Sequence, residues 1–359
     1  MTGALPAPRP VTRTVDARSV GFLIAGASHV AGTRMVAAIR QQPPAPGSRD
    51  VAGAWVVGVH SHNPRRARDF ADRHGIVHHA DDLQELLQRH EVRCVYVGNH
   101  PRRHAETAAA ALAAHKHVLC EAPLSLHPAE TATLQRMAEQ RGLVLAMNYT
   151  WRATAGLRRV HEMLADETIG ELLGGAISHT SLLRPEQHTW RVAPEGGGAL
   201  LVRTFQSVDA VQFLLHRSVR AVAAHTSAPL RAGQVEDDAF GHFVGTGGLV
   251  VRFHDSFLLP HTPPRLELCG ATGALLLTNW PVESGAPALT IRRRDQEEQA
   301  ALAEVDPFRA SVARFLAAIR GDAPPLATAA DDQRNLLIVA ACRHSLTHSG
   351  ALTTVRQAV

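Results

Sequence analysis

Between residues 20 and 148 the chain alternates short apolar runs with longer helical patterns, and this rhythm limits the fold more than any other feature. The runs are VGFLIAG (20–26), AWVVGVH (54–60), VRCVYVGN (92–99), HVLCE (117–121) and LVLAMNY (143–149). Among the segments between them are NPRRARDFADRHG, DDLQELLQRH and HAETAAAALAAH. Strands that alternate with helices belong to βαβ units and a parallel sheet. Asn63 before Pro64 is expected to cap one helix and Gly75 to close it, with Asp81 or Asp82 capping the next.

After Tyr149 the rhythm changes. A helix (GLRRVHEMLAD) leads to a strand (GGAISHTSLL), and a glycine-rich helix start (EGGGALLVRTFQSVDAVQFLLH) follows. Then come SVRAVAAHTS, DAFGHFVGT, GLVVRFHDSF, RLELCG and GALLLT, several strands in succession joined by short turns, which predicts a largely antiparallel sheet. Helices near 307–320 and 330–347 finish the chain, and the arginine run 292–294 reads as a link between strands. The expected organisation is a loose tail over 1–18, a parallel-sheet domain over 19–148 and a second α/β domain over 149–359.

The first strand runs into GASHVAG, residues 26–32. Against G-x-G-x-x-G/A, Gly26 and Ala31 fit, whereas Ser28 holds the middle position. Between a strand and a helix, such a turn places backbone N–H groups and a helix N-terminus against a pyrophosphate, with His29 inside the loop. The alternative is a helix that Ser28 caps with no ligand present. The second strand ends in VHSHNPRR, where Ser61, His62 and the nearby Arg65 offer no acid to a ribose hydroxyl. That favours a 2′-phosphate, hence NADP, with NAD as the alternative.

Charge and cysteine usage narrow the classes. The formal net charge of +4 is small for 359 residues, and the arginine clusters lack interleaved aromatics, which argues against nucleic acid. No apolar run is long enough to span a bilayer, so no membrane partner is expected. Cys94, Cys120, Cys269 and Cys342 lie far apart, as free thiols of a cytoplasmic protein do. The paired histidines carry no ligand spacing, and no metal is expected. Apart from Lys116, every basic Lys/Arg residue is an arginine, so a catalytic lysine has almost no source.

Taken together, GASHVAG, NHPRRHAETAAAALAAHKHVLCEAPLSL, MNYTWRATAGLRRV, IGEL, WRVAPEGGGALL and FRASVARFLAAIRGDAPP resemble the Gfo/Idh/MocA oxidoreductases over roughly residues 18–350. The resemblance implies an N-terminal Rossmann domain and a C-terminal α+β domain with an open, largely antiparallel sheet. That sheet often serves oligomerisation, here a homodimer or homotetramer. It also implies cofactor positions at Gly26, Ser28, Ala31, Ser61, His62, Asn99, His104 and Glu121, with Asn148 and Tyr149 near the nicotinamide. Trp190 and Arg191 match a segment facing the substrate.

The departures fall on the chemistry. Where the family has a lysine between Glu121 and Pro123, this chain has Ala122. The family's aspartate after GGGALL is Val202 and its histidine is Gln206, while Asp209 keeps the pattern. In the family, the lysine and histidine bind the reacting hydroxyl and move its proton. An alcohol needs such a base, whereas an imine, or a conjugated C=C, takes its proton near neutral pH from solvent. Expected chemistry is therefore reduction of C=N or conjugated C=C in a specialised pathway. The alternatives are a non-redox cyclisation, elimination or isomerisation, and a non-catalytic partner protein. Tyr149, His100, His179 and His188 are the candidate proton donors, with Tyr149, His100 and His188 preferred. Trp190, Arg191, Arg203, Gln206 and Asp209 are the candidate substrate contacts, with Arg203 suited to an anion.

Overall fold

The computed structural model describes residues 19–43, 53–194, 196–215, 218–227, 235–280, 286–294 and 296–356. The chain divides into two compact units, the first comprising the described residues up to Asn148 with Phe308–Asp332, the second Tyr149–Pro307 with Gln333 onward. The tail expected over 1–18 lies outside the described residues.

The first unit is built on strands β1 (Val20–Ala25), β2 (Ala54–His60), β3 (His78–Ala80), β4 (Val92–Val97), β5 (His117–Cys120) and β6 (Leu145–Met147). All pair in parallel in the order β3-β2-β1-β4-β5-β6. Phe22, Leu23, Ile24, Val95 and Tyr96 are fully buried, which explains the apolar runs that do not alternate. The helix caps follow the sequence. Asn63 Oδ1 accepts from the N–H of Arg66 at 3.1 Å, and Asp82 Oδ1 from that of Gln84 at 2.8 Å. Gly75 closes the helix Pro64–His74 at φ 58°.

One segment departs from the sequence division at 148. The helix Pro307–Arg320 brings Val312, Phe315 and Leu316 into the first unit's core, with the Phe315 ring 6.0 Å from that of Phe22. The parallel sheet needs cover that its own helices leave incomplete, and a distant segment completes it.

The second unit carries β7 (Leu172–Thr180), β8 (Val219–His225), β9 (Asp238–Gly245), β10 (Val250–Ser256), β11 (Arg265–Gly270), β12 (Ala274–Thr278), β13 (Ala288–Arg293), β14 (Gln296–Ala300) and β15 (Thr353–Thr354). Their order is β14-β13-β12-β11-β7-β10-β9-β8-β15. Every pairing is antiparallel except β7 with β10. The arginine run is not a link between strands: Arg292 and Arg293 close β13, and Arg294 takes a left-handed φ of 50° at the turn toward β14. Alternation in β10 buries Val251, Phe253 and Asp255 and leaves Val250 and Arg252 exposed. The helices Ala155–Ala165 and Phe205–Leu215 pack on the sheet.

Truncating a buried Phe costs about 3–5 kcal/mol. Phe315→Ala is expected to lower the unfolding free energy of the first unit by that amount, and its urea midpoint accordingly, despite lying outside 19–148. An unchanged midpoint would mean that this unit is complete without the segment.

Candidate functional site

In the first unit, the turn after β1 is shaped by sterics. Gly26 has φ 118°, and a Cβ there would lie 2.5 Å from the backbone N of Asn99, so only glycine fits. The Gly26 N–H donates to the carbonyl of His60 at 3.0 Å. Ser28 Oγ accepts from the N–H of Ala31 at 3.3 Å, so the serine does cap the helix start. The next turn, Ala31–Met35, is wound as a π-turn, a form frequent at functional sites. Ala31 is buried and His29 exposed.

The end of β2 meets the loop after β4. His62 Nε2 lies 2.7 Å from an Arg103 guanidinium nitrogen, and the rings of His60 and His62 meet edge to face at 4.8 Å. Ser61 Oγ accepts from the Asn63 N–H at 3.4 Å. Arg103 belongs to one of the arginine clusters, and its spacing alone gives no signal that it returns to β2. His100 Nδ1 accepts from the N–H of Arg102 at 3.2 Å and lies exposed, its basicity lowered by desolvation and then by Arg102 and Arg103.

Asn99 donates through Nδ2 to Thr107 Oγ1 at 2.8 Å, while its buried Oδ1 has no hydrogen-bond partner among the described residues. His104 sits with Nδ1 2.7 Å from the Pro123 carbonyl and Nε2 3.1 Å from the Asn99 carbonyl, tying two loops together. Glu121 Oε1 accepts from Tyr96 Oη at 2.7 Å and from Asn148 Nδ2 at 2.6 Å. Burial pushes that carboxyl up, against these two bonds. Asn148 Oδ1 in turn accepts from Ser311 Oγ at 2.6 Å, so the late helix also fixes this side chain.

In the second unit, Tyr149 is fully buried, stacked on Phe205 at 6.0 Å, and its hydroxyl accepts from Asn335 Nδ2 at 3.1 Å. Asp209 forms a two-pronged pair with Arg152, at 2.9 Å from Nε and 2.6 Å from Nη2, and accepts from Asn335 at 3.0 Å. No feature of the sequence marks Arg152 or Asn335 as their partners. The glycines of EGGGALL have a steric cause: at φ 96° a Cβ on Gly198 would collide with the Glu236 carboxyl, which accepts from the Leu200 N–H at 3.0 Å. Leu200–Thr204 is a second π-turn.

A cavity of about 480 Å³ lies beside this turn, lined in part by His179, Arg184, Arg191, Val202, Arg203 and Phe257. Arg203 donates through Nη2 to Ser181 Oγ at 2.6 Å and lies 4.9 Å from the Phe257 ring centre. The Arg191 guanidinium covers the Trp190 ring at 4.9 Å. His188 is exposed, with Nε2 3.2 Å from the Leu183 carbonyl, and Gln206 is half-buried. Thus Arg191 and Arg203 come together, whereas Asp209 and Tyr149 share the buried Arg152 network. Below them Asp255 accepts from Ser207 Oγ at 2.7 Å and from the His179 N–H at 3.1 Å. Burial raises its carboxyl to about 6. His179 is held well below its ordinary value, first by burial and then by Arg203.

Residues 20–149 match the family described as "Oxidoreductase family, NAD-binding Rossmann fold", and residues 157–276 match the GFO/IDH/MocA C-terminal domain. A 1,5-anhydro-D-fructose reductase from Ensifer adhaerens is 30% identical over 309 residues, covering 85% of this chain and 90% of that protein. A dTDP-3,4-didehydro-2,6-dideoxy-alpha-D-glucose 3-reductase from Actinomadura kijaniata is 30% identical over 80% of this chain and 86% of its own length. A solved 3-ketoreductase from the same organism, in complex with TDP-benzene and NADP, is 26% identical with a TM-score of 0.78, covering 91% of this chain and 98% of that one.

The folded-state value of Asp255 lies above its ordinary 3.8. Its contribution to stability is therefore full below pH 3.8 and lost as pH rises through about 6. The difference corresponds to about 3 kcal/mol. Asp255→Asn is expected to match wild type in urea denaturation at pH 4 and to exceed it at pH 8 by up to that amount. A variant less stable than wild type at pH 8 would show that the ionised carboxylate is held favourably.

Proposed function

We propose that this chain, which belongs to the GFO/IDH/MocA oxidoreductase family, is an NADP-dependent reductase of a small molecule, acting on C=N or conjugated C=C. One observation carries the reading: the nucleotide cradle is retained while the proton-relay positions of the resemblance hold Ala122, Val202 and Gln206. The cradle fits the cofactor in three respects. Gly26 permits the tight turn that brings the loop after β1 against Asn99, Asn99 holds a buried Oδ1 without a hydrogen-bond partner among the described residues, and Glu121 orients Asn148. The bound cofactor supplies hydride. The chain supplies the turn for the pyrophosphate and, at Ser61, His62, Arg65 and Arg103, a region with donors and positive charge where an acid would serve NAD. The NADP in the Actinomadura kijaniata 3-ketoreductase supports the same preference.

None of Ala122, Val202 and Gln206 titrates, so none takes a proton from an alcohol at neutral pH. An imine or an activated alkene avoids the need, because solvent delivers its proton. Tyr149 is held by Asn335 and Phe205, and His100 and His188 lie exposed, so a donor, where one acts, reaches the acceptor from the loops. The names of the relatives favour a second reading, reduction of a keto group on a sugar. On either reading, the sheet face bearing Phe240, Val250, Arg252 and His254 offers a surface for a homodimer or homotetramer, with a mixed rather than an apolar character.

NADPH oxidation against a panel of cyclic imines, enones and keto sugars separates the readings, with turnover expected for the first two classes. Turnover confined to keto sugars would reject the C=N and C=C assignment, and failure to bind either nucleotide would favour a non-catalytic role. In a nicotinamide-fluorescence titration, Arg103→Ala is expected to weaken NADPH about tenfold and leave NADH unchanged. Equal losses for both would remove Arg103 from the 2′-phosphate.

A further inference from the structure

We infer that NADP(H) binding at the end of β2 takes up a proton at His62, so that preference for NADP over NAD falls as pH rises. This rests on the reading of the first unit as an NADP cradle and adds a regulation of that same site. One contact sets the chemistry: His62 Nε2 lies 2.7 Å from Arg103 Nη1. A guanidinium carries only N–H donors, so Nε2 offers its lone pair and the imidazole is neutral, with its hydrogen on Nδ1. The neighbouring His60 ring, 4.8 Å away edge to face, does not compete for a proton. It is 1% exposed, and burial, then His62, hold it below its ordinary value against Asp81 and Asp82.

A 2′-phosphate inverts what His62 must do. It presents only acceptor oxygens and, above about pH 6, two negative charges. Arg103 can turn its N–H groups onto it unchanged, whereas the lone pair on Nε2 would face an oxygen and repel it. Moving the ring hydrogen from Nδ1 to Nε2 provides a donor without charge. A proton from solvent provides donor and charge together, which makes the stronger, charge-assisted bond. One neutral imidazole, one phosphate dianion and one proton thus give an imidazolium–phosphate pair, with no bond of the nucleotide broken. No carboxylate occurs from His60 to Arg68. The charges about this turn are Arg65 and Arg66 on the following helix, Arg102 and Arg103 after β4, and Asp81 and Asp82 after β3. With cations in the majority, a further one at His62 gains most when an anion arrives. NAD presents a ribose hydroxyl there, which donates as well as accepts, so a neutral His62 satisfies it without a proton.

The test titrates NADP+ and NAD+ calorimetrically into the full chain in two buffers of different ionisation enthalpy, which counts the protons bound with each nucleotide. At pH 7.5, NADP+ is expected to take up roughly half a proton more than NAD+. From pH 7 to pH 9, where the phosphate stays a dianion, its Kd should rise about tenfold while that of NAD+ stays level. His62→Arg, charged throughout, should bind NADP+ with no extra proton and no such rise. His62→Gln, which never carries charge, should be equally flat and as weak at pH 7 as wild type is at pH 9. His62 is exposed, so neither variant disturbs the core. NADP+ binding with no more proton uptake than NAD+ would mean a tautomer exchange alone and overturn the inference, with the NADP reading intact. Uptake that persists in both variants would also overturn it, by placing the proton elsewhere. No binding of NADP+, or no preference for it at pH 7, would overturn that reading and the inference together.

Discussion

Parallel pairing is the constraint on which the rest of the first unit depends. When every strand of a sheet runs the same way, the loops that follow their carboxyl ends gather on one edge, and a ligand placed there meets all of them. Gly26 follows β1, Ser61 follows β2, Asn99 lies two residues past β4, Glu121 follows β5 and Asn148 follows β6. Residues spread over more than a hundred positions thus meet because of strand direction, before any of their own chemistry acts. Gly26 shows how closely they meet, since its backbone passes where any side chain would strike Asn99.

Charge is distributed with different purposes in the two units. In the first, Glu121 is satisfied by Tyr96 and Asn148, and this fixes Asn148 through a bond chain that extends to Ser311. In the second, the pair between Arg152 and Asp209 lies buried with Asn335 and Tyr149, where loss of one partner would leave an uncompensated charge. Arg203 stands apart from this arrangement. It donates to Ser181 Oγ, lies over the Phe257 ring, acts electrostatically on the buried Asp255 and borders a cavity rather than a packed core.

Much of the fold was legible because it depends on local pattern. Apolar runs such as VGFLIAG mark strands buried on both faces, and Asn63, Asp82 and Gly75 mark helix ends through single hydrogen bonds or one left-handed residue. The segment around Phe315 was not legible in the same way, because an amphipathic helix does not state which core it joins. β14 was missed because QEEQA is charged and a strand at a sheet edge needs no apolar face, and β13 because its short apolar stretch ALTI runs straight into arginines. At the candidate site the motif positions were readable. The partners Arg103, Arg152, Asn335 and Asp255 were not, since each meets its partner through tertiary packing that the pattern of its own segment does not state.

Under the proposed function, hydride chemistry proceeds without a positioned lysine, aspartate and histidine to take a proton from an alcohol. The most direct measurement incubates the wild-type protein, with NADP+ binding verified, with a panel of sugars and polyols from pH 7 to pH 9 and follows NADPH absorbance. Bound NADP+ and no NADPH formed above background across that range are expected. Robust oxidation of any sugar or polyol would contradict it, because a proton would then leave a hydroxyl where Ala122, Val202 and Gln206 offer no base.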